Sequence, residues 1–246
     1  MVAAMGTIDW FFEHEAEYFA TRLRKLVLEI HRLASEQLEQ LYNKEVEEAE
    51  RDEVLNEVDR ADYQRYLGGE QESQQRALST MALTMLASLI ESFLSEARSR
   101  FDANAFPSAN TYAGKSVLLR RITEYRERFE IDLTSLPGFD AVREVVLARN
   151  SCVHDDGHPS LDYLAQTQRR FLKGVEVSRL FGWISKRKDE VDLICCDVET
   201  LTEVVAEVSE FAMTLHAEMN AVRSRYHSKN QVSDTPPRWP KSSGPD

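Results

Sequence analysis

The chain has 246 residues, 42% hydrophobic and 29% charged, with nine glycines and seven prolines. That is enough apolar material for a buried core, and it excludes collagen-like, coil-dominated and wholly disordered chains. No run of 18 or more apolar residues occurs. Glu13, Glu15 and Glu17 interrupt the stretch that a signal peptide would need, so the expectation is a cytosolic protein with no membrane-spanning helix. The net charge is −12, from 42 acidic and 30 basic residues, which argues against a surface coated for non-specific nucleic-acid binding. The charge is uneven, however. Residues 36–60 are strongly acidic, whereas residues 169–188 collect Arg169, Arg170, Lys173, Arg179, Lys186, Arg187 and Lys188 against Glu176. A local basic patch facing a polyanion therefore survives the global balance.

Helical periodicity dominates the chain order. Phe19, Leu23, Leu26, Ile30 and Leu33 step by four, three, four and three, which predicts a long first helix from about Ile8 to near Glu50. Its apolar stripe thins past Leu41, so its far end is expected to project into solvent. Gly68-Gly69 reads as punctuation. A second helix follows from about Glu72 to Phe101, striped by Leu78, Met81, Ala82, Met85, Leu86, Leu89 and Phe93, with Glu91 outside the stripe near Thr84, Ser88, Ser95 and Arg98. Residues 102–114 read as loop. A third helix is expected from about Lys115 to Phe129, with Arg120, Arg121, Arg126 and Arg128 outward. Leu136-Pro137-Gly138 separates it from a fourth, about Phe139 to Val153, stopped near Gly157.

A short helix is expected over Leu161–Phe171, then a small hairpin from Val175–Ser185 and Val191–Cys196. Asp197 can cap a last long helix, Val198 to about Tyr226. The organisation expected is a single all-α helical domain over residues 1–227, with long first and last helices and a small β-hairpin insert, and a disordered tail over 228–246. Cys152, Cys195 and Cys196 lack metal or disulfide spacing, so neither a structural metal nor a cofactor is expected.

The informative stretch is Arg149-Asn150-Ser151-Cys152-Val153-His154. An ideal helix sets Arg149 and His154 about 140° apart. They share a site only if the helix loosens near His154, or if their partners come from a second copy of the chain. Arg149 shares a face with Val142, Val146 and Val153, so either a carboxylate pairs with it or the face lines a cleft. Such a pair suits phosphodiester cleavage without a metal. The imidazole moves the proton of a ribose 2′-OH or of the leaving 5′-oxygen, and the guanidinium holds the phosphate. Asn150 could orient either group. Further candidates are His158, the basic run 169–188 with Arg169, Arg170 and Lys173 as RNA contacts, Trp10, Phe11 and Phe12 as stacking groups, and Asp155 and Asp156 with Glu91 around a divalent ion. The more ordinary readings are a solvated loop histidine, an exposed charged hairpin, terminal-helix packing and turn carboxylates.

The order of a helix containing LASLIESFLSEA (Leu86–Ala97), a basic helix, then REVVLARNSCVHDDG (Arg143–Gly157) resembles the HEPN superfamily, all-helical domains found in many prokaryotic toxins and defence ribonucleases. The family motif is Arg, four to six residues, then His, commonly with a polar residue after the Arg. Arg149, Asn150 and His154 match it, and Glu91 matches an acidic residue recurrent in the earlier helix. The resemblance implies a metal-independent endoribonuclease acting on RNA as a homodimer, with two Arg/His motifs at one composite cleft and a possible antitoxin partner. It also admits a non-catalytic scaffold that binds nucleotide or a protein partner.

Overall fold

The computed structural model describes residues 14–52, 56–99, 117–155, 157–176 and 190–231. Among them the architecture is a helical bundle carrying one two-stranded sheet.

The first rod, α1, is helical over residues 14–51, with a π-helical segment, Leu23–Glu29, leading into an α-helix, Ile30–Arg51. The π segment redirects the buried line. A helix bonded i to i+5 takes more residues per turn than the 3.6 of an α-helix. The buried residues therefore step by fours, through Phe19, Leu23, Val27 and His31. The expected stripe shares only its first two members with that line; Leu26, Ile30 and Leu33 are exposed.

The second rod, α2, is Glu57–Ser99. It runs unbroken through Gly68 and Gly69, correcting the expected break and moving the start back from Glu72. Each interior glycine costs about 1 kcal/mol, but helix on both sides propagates across the pair. α2 returns antiparallel to α1: Arg60 Nε donates to the Ala49 carbonyl at 3.2 Å, and Phe19 stacks on Phe93 at 4.5 Å. The acidic end of α1 is thus paired with the start of α2, with Ala49 and Leu67 buried. It does not project alone, and Leu41, where the stripe was expected to begin thinning, is itself exposed.

By length and composition alone α2 is long and apolar enough to cross a membrane. Its apolar side is instead spent on the bundle, where Leu78, Ala82, Leu83, Leu86, Ile90, Phe93 and Leu94 are buried.

Next come α3, Val117–Phe129, and α4, Phe139–His154, joined through a 3₁₀ turn, Leu133–Ser135. Gly138 starts α4 with φ +77°, and a Cβ there would collide with the Glu207 carbonyl of the last helix. Only glycine satisfies both conditions. The expected helix over Leu161–Phe171 shrinks to one turn, α5, Leu161–Leu164, after which the chain turns into a strand. The hairpin pairs β1, Leu172–Glu176, antiparallel with β2, Glu190–Ile194. β1 starts three residues before the expected Val175; residues 177–189 lie outside those described.

The last helix, α6, is Val198–Gln231, capped by Asp197, whose Oδ1 accepts the Thr200 N–H at 2.7 Å. It runs beyond Tyr226 through the start of the expected tail, and residues 232–246 lie outside those described. Its stripe (Leu201, Val204, Val205, Val208, Phe211, Ala212, Leu215, Met219) is buried as expected, in one core shared with α1, α2, α3 and α4.

Where α1, α2 and the end of β2 meet, His31 is buried with Nε2 3.7 Å from Cys196 Sγ, and its Nδ1 has no hydrogen-bond partner among the described residues. Ser79 Oγ accepts the Cys196 N–H beside it at 3.0 Å. Burial lowers the His31 pKa, and the Cys196 backbone and the Asp197 charge only partly oppose it. The unfolded chain therefore takes up this proton first as pH falls. The stability contribution is complete above about pH 6.5 and is lost as pH drops below that toward the folded value. Unfolding by denaturant should show stability falling from pH 7 to pH 5, and His31→Gln should flatten that fall. Asp132 and Asp197 do not overlap this window. Hydrogen bonds hold their carboxyls below the usual range: from Thr134 and Arg126 for Asp132, and, against some burial, from Thr200 and Lys173 for Asp197.

Candidate active site

α4 buries Phe139, Val142, Val145, Ala148 and Cys152, which leaves Arg149 at the edge of its packed face. Of the two outcomes expected for that guanidinium, the structure takes the carboxylate. Arg149 Nη2 donates to Glu91 Oε1 on α2 at 3.3 Å, and Nη1 donates to Asn150 Oδ1 at 3.1 Å. The side chains of Arg149 and Glu91 are 23% and 32% exposed. The guanidinium is fixed from two sides yet still open to an anion arriving from solvent. Its Nε is buried with no acceptor among the described residues.

His154 is placed differently. It is exposed and is the last residue of α4, which stays helical to that point rather than loosening. The rotation of about 140° from Arg149 is therefore retained. Among the described residues, no hydrogen bond or ion pair joins His154 to Arg149, Asn150 or Glu91. One chain thus brings together three of the four expected catalytic residues and turns the fourth outward.

The corner that carries His154 is firmly tied. The Asp155 and Gly157 N–H groups both donate to the Ser151 carbonyl, at 3.0 and 3.1 Å, and Gly157 adopts φ +84° as the expected helix-ending residue. The Ser160 N–H donates to Ser151 Oγ at 3.0 Å. The Ile194 N–H donates to the Gly157 carbonyl at 2.7 Å, binding the end of β2 to this turn. His154 therefore stands on a fixed pedestal. His158 is also exposed, and Val153, expected on the buried face, is 48% exposed beside them.

The three residues read as RNA contacts separate. Arg169 is exposed. Lys173 bonds Asp197 at 2.9 Å and remains accessible. Arg170 is turned inward, bonded to Glu144 at 2.9 Å and Glu207 at 2.6 Å. Arg179 and Lys186–Lys188 lie outside the described residues, as do Trp10, Phe11 and Phe12. The cysteines are free, with Cys152 and Cys196 buried; burial pushes the Cys195 thiol up to about 11. Among the described residues, no three His, Cys, Asp or Glu side chains gather as a metal site would require.

Sequence reasoning missed a second polar cluster. Arg121 and Arg128, expected outward on α3, turn onto Glu124 together with Arg98 from α2. The available signal was the spacing of Arg121, Glu124 and Arg128 by three and four, which puts all of them on one helix face. Compared with protein-family models, curated proteins and solved structures, the chain matches none.

Proposed function

We propose that the chain is a metal-independent endoribonuclease of HEPN type, acting in the cytosol as a homodimer. The observation that carries this reading is Arg149, clamped by Glu91 and Asn150 while its guanidinium remains accessible. A guanidinium held in this way can bind a phosphate bidentately and stabilise the charge that develops as it reacts, with no reorganisation. Because His154 does not meet Arg149 within one chain, the composite site needs the second copy. The 2′-oxygen attacks phosphorus, the bond from phosphorus to the 5′-oxygen breaks, and a 2′,3′-cyclic phosphate forms. One imidazole takes the 2′-OH proton, and its mate delivers a proton to the departing 5′-oxygen.

The test is incubation of full-length protein with RNA in EDTA. Cleavage leaving cyclic phosphate ends is expected, together with growth arrest on expression of wild type but not of His154→Ala. Intact RNA under these conditions overturns the reading. The scaffold reading draws on the same turned-out His154, and it would be favoured if inactive protein purified with a partner bound over Arg149.

A further inference from the structure

The polar stripe of α2 continues past Glu91. Glu91, Ser95 and Arg98 are spaced four and three, so they share a face, and α3 lays Arg121, Glu124 and Arg128 against its far part. The bonding is continuous. Ser95 Oγ donates to the Glu91 carbonyl at 2.8 Å, Arg121 Nη2 to Ser95 Oγ at 2.6 Å, and Arg121 Nη1 to Glu124 Oε2 at 2.9 Å. Arg98 and Arg128 converge on the other Glu124 oxygen, at 3.1 and 3.3 Å.

One buried carboxylate therefore anchors three guanidiniums, whose side chains are 39% (Arg98), 18% (Arg121) and 19% (Arg128) exposed. Glu15 is a further acid nearby, its charge reaching the Tyr125 hydroxyl along with those of Arg121, Glu124 and Arg98. Counting it, the bonded set among the described residues holds three cations against two anions, in a chain whose net charge is −12. A single arginine would have sufficed to neutralise Glu124. An excess of half-buried positive charge is costly unless an anion completes it. Among the described residues, the Nε atoms of Arg121 and Arg128 are buried without an acceptor, so Glu124 does not exhaust the donors.

The placement identifies the anion. With a rise of 1.5 Å per residue, Arg98 lies about 10 Å along α2 from Glu91, roughly the span of three stacked nucleotides. We propose that Arg98, Arg121 and Arg128 form a second phosphate site, taking a backbone phosphate of the RNA strand whose scissile linkage lies at Arg149. This rests on the ribonuclease reading, and it gives that reading a direction for the bound strand, along α2.

The test uses the full chain and a fully 2′-O-methylated RNA oligonucleotide, which lacks the attacking hydroxyl. Binding is followed by anisotropy over a range of salt. Arg98→Gln, at the most exposed of the three, should weaken binding about fivefold and flatten the log–log salt dependence by about 0.7, the loss of one phosphate contact on a single strand. Arg98→Lys should restore the slope. Arg126→Gln removes the same charge from α3, where it bonds Asp132, and should change neither quantity.

The proposal falls if Arg98→Gln and Arg128→Gln both keep the wild-type slope, if Arg126→Gln produces the same loss, or if wild type does not bind the oligonucleotide. Unchanged slopes with RNA cleavage intact sink the second site alone. A flattened slope in a protein that cuts no RNA sinks the nuclease reading and keeps the site.

Discussion

Replacing His154 with alanine is expected to lower RNA cleavage by about 10⁴-fold while moving the unfolding midpoint by no more than about 2 °C. A positioned general acid or base contributes about 10²–10⁴-fold, and in a homodimer one substitution removes the base and the acid together. The small stability cost follows from exposure. A surface side chain outside any packed or bonded network changes stability by about 0.5 kcal/mol at most, which is about 2 °C in a chain of this size.

Arg149→Ala should cost less in rate, about 10²–10³-fold, the usual price of one group stabilising developing charge. Arg149→Lys should recover little of it, because an ammonium lacks the planar fork that Glu91, Asn150 and a phosphate would share. Wild-type kcat/KM should trace a bell against pH, one limb for the imidazole that must be free and one for its protonated mate. His154→Ala with wild-type cleavage and the same cyclic ends would remove His154 from the reaction.

How far the sequence could be read depended on whether a residue's partner was near in the chain or far from it. α6 was legible almost residue by residue, because its stripe is regular and every member is buried. α4 was legible through Phe139, Val142 and Val146, whereas Val153, expected on the same face, is exposed. Its Arg149 could be read as needing either a carboxylate or a cleft, since an arginine on an apolar face does. That the carboxylate is Glu91, 58 residues earlier, was not legible from the spacing, and the resemblance singled out Glu91 only as an acidic residue of the earlier helix.

The errors have physical causes. Gly68 and Gly69 are weak breakers when helix propagates from both sides, and a local propensity cannot weigh that. The π segment shifted the buried line of α1 by a fraction of a turn, and no composition signal marks it. Leu161–Phe171 lost its helix because Phe171 is tied elsewhere: its N–H donates to the Tyr163 hydroxyl at 3.1 Å, and its carbonyl accepts from Cys195 at 2.8 Å. Arg121 and Arg128 looked solvated because a charge run normally is, and burial of Glu124 against α2 reversed that, while Arg120 and Arg126 are exposed as expected.

Arg170 is the clearest such case, and its replacement carries the largest expected loss of stability. Glu144, in the middle of α4, is 1% exposed. Its carboxylate accepts from the Arg170 backbone N–H at 2.5 Å, from Arg170 Nε at 2.9 Å and from the Tyr163 hydroxyl at 3.2 Å. The far end of the same guanidinium meets both Glu207 oxygens on α6, at 2.6 and 3.3 Å. Burial works against the Arg170 charge, but the bonds to Glu207 and Glu144 outweigh it and leave its pKa raised.

Arg170→Ala leaves Glu144 charged, buried and without its cation, a defect that costs about 3 kcal/mol and about 6–12 °C in unfolding midpoint at this chain length. Adding Glu144→Gln should return a large part of the loss, because the stranded charge is gone, so the pair should couple strongly in a double-mutant cycle. Affinity for the methylated oligonucleotide should be unchanged wherever Arg170→Ala remains folded. An Arg170→Ala protein as stable as wild type, yet with weaker binding and a flatter salt dependence, would return this residue to the RNA surface and show that the Glu144–Glu207 clamp opens when a strand arrives.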